Sequence, residues 1–178
     1  RTILVVDSLA ASMGEGLLLY YAVEHRKAGM TIEENAKWLE DNKLRAQAWF
    51  TVDDLKYLRR GGRIGAMAAT VGTMLDLKPI ITENREGKLV SSDKVRGRKA
   101  ALRLIADKAA ENIDDPAQAM TIILHADAPE DAARLETMLR ERVPELGEIQ
   151  TYYVGPVIGA HCGPGTVAIC FFGKERPC

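Results

Sequence analysis

Met120-Thr121-Ile122-Ile123-Leu124-His125 is separated by four residues from Glu130-Asp131-Ala132-Ala133-Arg134-Leu135-Glu136-Thr137-Met138-Leu139-Arg140-Glu141, and Glu148 to Val154 follows. The first stretch is a short apolar run of the kind a buried strand makes, the second has helical spacing, and the third reads as a strand again. Strand, helix and strand in that order indicate an α/β fold. Downstream, Thr166 to Phe172 supplies a last strand. Upstream, Ala100 to Ile113 is an amphipathic helix. Lys78 to Thr82 and Lys88 to Val95 form a hairpin about a turn at Asn84 to Gly87.

Nearer the start, Ala46 to Val52 carries Trp49, Phe50 and Val52 and is expected as a strand. Asp53 is expected to cap a short helix over Asp54 to Arg60, which Gly61-Gly62 ends. Ile64 to Leu77 is apolar or small throughout and predicts a helix buried all round. Thr31 and Glu34 form a capping box that opens a helix to about Lys43, and another helix runs from Leu17 to Arg26. Thr2 to Ser8 reads as a buried parallel strand, which needs neighbours that the chain scarcely supplies before residue 44. More sequence upstream is therefore expected, with a domain boundary near residue 45, dividing the chain into 1–45 and 46–178.

The 178 residues are 47% apolar and 28% charged, which fits one globular domain or one domain with part of another. Lys and Arg number 24 against 25 Asp and Glu, so no global basic field favours nucleic acid. No run approaches the roughly 20 apolar residues of a membrane helix, and no export signal is visible. Cys162, Cys170 and Cys178 offer neither Cys-x-x-Cys spacing nor a disulfide framework. A cytoplasmic protein without metal or cofactor is expected.

Three segments carry candidate chemistry. Val157 to Gly165 sets His161 and Cys162 within a turn shaped by Gly159, Gly163, Pro164 and Gly165, where backbone N–H groups can approach an anion; the same glycines also suit a plain tight turn with an inert histidine. On an extended segment His161 and Cys162 would point apart, which argues against a thiol nucleophile and its base. Leu58 to Ile64 places Arg59, Arg60 and Arg63 around a double glycine, and Lys94 to Lys99 places Arg96 among cations at a helix start. Cations there oppose the helix dipole and favour a visiting anion, unless they are simply solvated. Ser12-Met13-Gly14-Glu15-Gly16 is a glycine loop between strand and helix without a nucleotide-binding signature.

The ordered set Val5-Val6-Asp7-Ser8, Ser12-Met13-Gly14-x-Gly16, Asp54-Leu55-x-Tyr57-Leu58-x-x-Gly61-Gly62-Arg63-Ile64, Lys78-Pro79-Ile80, Lys94-x-Arg96 and His161-x-Gly163-Pro164-Gly165 resembles the DegV family of bacterial fatty-acid-binding proteins. The resemblance implies a two-lobed α/β fold: the C-terminal remainder of a DegV-like lobe over 1–45, then a complete α/β sandwich domain over 46–178. It also implies a missing N-terminal segment, whose Thr-Asp-Ser turn and Ser-Gly-Thr loop hold the ligand carboxylate in relatives. By similarity, the protein buries a long-chain fatty acid between its lobes and presents the carboxyl group to a separate fatty acid kinase, performing no chemistry itself. His161 and Arg96 match positions near the carboxyl end, and Ser12 and Gly163 complete the polar part of the expected site. Ile64, Met67, Val71 and Leu75 are the expected tunnel lining. Two rivals stand beside this reading: a small-molecule phosphoryl hydrolase or transferase using the glycine loops, and an interaction module whose lipid is only structural.

Overall fold

A computed structural model describes residues 1–63 and 76–176. Helices α1 (Met13–Lys27) and α2 (Ile32–Asn42) lead through one 3-10 turn into β1 (Ala46–Thr51), and α3 (Lys56–Arg60) follows. Next come β2 (Leu77–Glu83), β3 (Leu89–Arg96), α4 (Arg98–Asn112) and β4 (Thr121–His125). The chain continues through α5 (Pro129–Arg142), β5 (Ile149–Tyr153), α6 (Pro156–Cys162) and β6 (Val167–Phe172). The strands form one sheet of order β3-β2-β1-β6-β4-β5. Among the described strands only β4 and β5, joined through α5, pair in parallel. All other pairings are antiparallel, so the fold is mixed α/β.

Alternation along each strand divides the sheet into two working faces. Val167, Ile169 and Phe171 of β6 join Leu102, Ile105, Leu135 and Leu139 beneath α4 and α5. Ala168 and Cys170, their neighbours in sequence, join Leu17, Phe50, Leu58 and Ile122 on the side of α1, α3 and α6. Each end of α2 has a local cause. Thr31 Oγ1 accepts the Glu34 N–H at 3.2 Å while Glu34 returns a carboxylate to the Thr31 N–H at 2.9 Å, the reciprocal capping box. Its far end passes straight into the 3-10 turn before β1.

Three expectations are corrected. Thr2 to Ser8 forms no strand; Ile3 and Val5 are 83% and 88% exposed, because none of the six strands lies beside them. Asp53 does not cap α3; its carboxylate pairs with Lys78 Nζ at 2.6 Å, and α3 begins at Lys56. The Val157 to Gly165 segment is not a turn throughout, since Pro156 at the first helical position opens α6 and only Gly163 to Gly165 turn. The helix expected from Ile64 lies outside the described residues as far as Leu75, and Leu77 already belongs to β2.

Candidate functional site

Two glycines interlock α3 and α6. A Cβ on Gly61, which ends α3, would stand 2.1 Å from His161 Nδ1. Only bare backbone at residue 61 therefore lets the imidazole lie where it does. Gly163 ends α6 at φ 79°, and a Cβ there would meet the Tyr57 ring at 2.3 Å, so both its conformation and its neighbour demand glycine. The Thr166 hydroxyl fixes the turn by donating to the carbonyls of Cys162 or Gly163, 3.1 and 2.8 Å away. Gly165 adds an N–H bond to Ala126 O at 2.7 Å. His161 Nδ1 is buried without a hydrogen-bond partner among the described residues.

His161 lines a cavity of about 810 Å³ whose walls include Leu58, Leu89, Val90, Val157, Ile158 and Cys162. Arg63, Lys88, Glu83 and Glu86 bring charge to it. Arg63 is exposed and bends back to donate to Gly61 O at 2.7 Å, so its cation stays beside the imidazole's support. A second cavity of about 560 Å³ lies between α1, β4 and β5, with Met13, Tyr20, Met120, Ile122, Leu124 and Tyr152 giving it an apolar wall. Ile158 lines both hollows. Each falls within the roughly 300–1,000 Å³ of small-molecule sites.

The structure brings some expected site residues together and separates others. Ser12 lines the smaller cavity and holds a left-handed φ of 56°, and its side chain makes no capping bond to α1. Gly163 shapes the turn behind His161 rather than facing the cavity. Arg96 is exposed at the far end of β3 from Leu89, roughly 23 Å away at about 3.3 Å per residue, so it does not share the His161 cavity. Ile64, Met67, Val71 and Leu75 lie outside the described residues.

Among the nearby cations, Arg98 has a structural explanation. Its Nε donates to Asp131 at 2.8 Å and its Nη2 to Gly165 O, so this cation at the start of α4 braces the turn that follows α6. Burial alone would raise the Asp131 carboxyl, but hydrogen bonds and charge from Arg98 and Arg134 outweigh it and hold the group below its usual range. Cys162 is buried and its thiol is pushed up to about 11 by desolvation, so it stays protonated and unreactive. No group of three or more His, Cys, Asp or Glu among the described residues could hold a metal ion. No described helix is long and apolar enough to cross a membrane.

The sequence profile described as an uncharacterised protein of the DegV family matches residues 1–174. The chain belongs to the DegV family. It is 42% identical over 172 residues to a DegV domain-containing protein of Clostridium perfringens, covering 97% of this chain and 59% of that protein. A Streptomyces coelicolor DegV domain-containing protein is 37% identical over 165 residues, 93% of this chain and 58% of the relative. The DegV chain thus spans about three fifths of the relatives it matches. Its fold superposes on the crystal structure of a fatty acid binding DegV family protein from Streptococcus agalactiae with a TM-score of 0.87 at 29% identity, covering 98% of this chain and 61% of that one. A DegV family protein from Thermus thermophilus, described for its fatty acid binding, gives 0.82 at 32% identity over 96% and 61%.

The roles of three DegV residues that shape the site were not legible beforehand. Tyr57 stands in the Asp54 to Ile64 motif that carries the resemblance, but nothing in that motif shows that its ring packs against Gly163. Glu83 ends β2 and is 4% exposed at the edge of the larger cavity. Arg176 is wholly buried beside it. A charged residue just after the apolar Pro79-Ile80-Ile81 stretch was the available signal for Glu83.

Proposed function

We propose that this chain is the greater part of a bacterial, cytoplasmic fatty-acid carrier that buries an acyl chain and presents its carboxyl group to a separate kinase for acyl phosphate formation. The observation that carries the reading is the larger cavity, with an apolar wall running from Leu58 to Ile158 and with His161 and Arg63 at its polar side. Burying about fourteen methylenes at roughly 0.8 kcal/mol each stabilises a bound chain by on the order of 11 kcal/mol before ordering costs, which suits a hollow better than an open surface. The imidazole and guanidinium would receive the anionic end. In this reading residues 1–45 finish one lobe, 46–178 form the other, and an N-terminal segment supplies the remaining carboxylate donors. The reading assigns the acyl-chain lining to Ile64, Met67, Val71 and Leu75, which lie outside the described residues, and keeps Ser12, on the smaller cavity, and Gly163, in the turn behind His161, as parts of the proposed site.

Arg96, exposed at the end of β3 and distant from the cavity, is assigned to the kinase encounter rather than to the ligand. The carrier performs no catalysis of its own. Extraction of the purified protein followed by lipid mass spectrometry should yield one long-chain fatty acid, and supplying a fatty acid kinase with ATP should convert it to acyl phosphate. Arg96→Ala and His161→Ala should both lower phosphoryl transfer more than lipid retention. No extractable lipid, together with hydrolysis of generic phosphoesters, would replace this reading with that of a phosphoryl hydrolase. Equal loss of transfer and retention in both variants would end the division of labour.

A further inference from the structure

The segment 9–12 passes between the two cavities, with Ala11 on the larger and Ser12 on the smaller, and together with Ile158, which lines both, it makes a partition there. The partition is strained. Leu9 and Ser12 hold φ of 49° and 56° without being glycine, a conformation that persists only when the surroundings impose it. Remote parts of the chain supply that constraint. Glu83 Oε1 accepts the Ala11 N–H at 3.0 Å, and Arg176 Nη1 donates to Leu9 O. Gly87 approaches the same Leu9 carbonyl so closely that a Cβ would stand 2.8 Å from it.

Glu83 and Arg176 are both deeply buried, and the closest approach of their charged groups is 3.6 Å, from Arg176 Nη2 to Glu83 Oε2. Neither of those two atoms has a hydrogen bond among the described residues. Arg176 is anchored to the sheet by its Nε, which donates to Ala46 O at 2.7 Å. Buried ion pairs with unfilled hydrogen bonds are poor sources of stability, so stability alone does not account for this one. What the two side chains do share is the partition, which each grips from beneath at a different residue.

We propose that Glu83 and Arg176 are positioning residues that clamp the strained 9–12 segment, holding the wall between the cavities and setting the Ser12 hydroxyl at its edge. The effect on a ligand rests on the fatty-acid reading above; the clamp itself does not.

Two measurements on the full chain separate them. Amide hydrogen exchange reads residues 9–14, and the dissociation rate of cis-parinaric acid, a fluorescent long-chain fatty acid, reads the site. Glu83→Ala should speed exchange at Ala11 ~30-fold while leaving the centre of β4 unchanged, as expected for losing a hydrogen bond to a charged group. Glu83→Gln keeps an acceptor for Ala11 and should stay within about threefold of the parent. The paired variant Glu83→Leu with Arg176→Met fills the space with apolar groups and should unfold at or above the parent temperature while residues 9–12 still exchange fast. Slow exchange at Ala11 in the paired variant, or in folded Glu83→Ala, would overturn the clamp. Fast exchange with an unchanged parinaric acid rate would uphold the clamp and remove Ser12 from the ligand path.

Discussion

The two faces of the sheet are built from alternate residues of the same strands, yet among the described residues one is filled and the other is hollow. Beneath α4 and α5 the strands present Ile80, Ile123, Ile169 and Phe171, large side chains closed over by Leu102, Ile105, Leu135 and Leu139. Toward α1, α3 and α6 the same strands present Ala48, Ala168 and Cys170 among their larger residues, and both principal cavities open there. Small residues on one side of a strand leave room that the described helices above do not fill. Stability is concentrated on one face and space for a ligand on the other.

Substitutions chosen from each face test that division. Leu135→Ala, on the filled face, should cost about 3 kcal/mol of unfolding free energy in urea titrations while the folded fraction retains lipid normally. A parallel loss of lipid would mean that the faces are not independent. Gly163→Ala should cost about 2 kcal/mol, since it combines a left-handed φ with the Tyr57 contact; Gly29→Ala, at φ 90° with no atom within 4 Å, should cost about half as much. Equal costs would show that the Tyr57 ring yields freely.

Ile158→Ala reverses the pattern expected for Leu135. It removes the residue common to both hollows, so lipid dissociation should rise up to about tenfold while unfolding free energy changes by less than about 1 kcal/mol.

A smaller effect follows from pH. Burial lifts the Glu83 carboxyl above the ordinary glutamate value of 4.5, with Arg176 and the Ala11 N–H only partly opposing it. The folded chain then keeps this proton to higher pH than the unfolded chain does. The linked stability is complete below about 4.5 and is lost as pH rises through the raised value, so urea midpoints of the parent should fall relative to Glu83→Gln across that window. A constant gap between the two would place Glu83 in contact with solvent. Smallest of all, iodoacetamide should leave Cys162 and Cys170 unmodified in the folded protein at mildly alkaline pH, because burial raises both thiols.

Features with local causes were legible in the sequence. Thr31 and Glu34 start a helix through their own side chains, and Asn84 makes its turn by accepting the Glu86 and Lys88 N–H groups at 3.0 and 2.9 Å. The β4-α5-β5 unit likewise follows from spacing alone. Thr2 to Ser8 misled because an apolar run looks the same whether or not a partner strand exists, and pairing is not written in the run itself. In α6, glycines suggested a turn, while Pro156 was the quieter sign of a helix beginning. His161 could be singled out as a histidine among glycines. Its contact with Gly61 could not, since that depends on α3 and α6 meeting across the fold.

That contact has a thermodynamic consequence for whatever molecule arrives. An imidazole braced on naked main chain cannot swing toward α3, so much of its rotational freedom has already been surrendered during folding. A visitor that accepts a proton bond from it meets a stationary partner, and little additional entropy is lost in making the two fit.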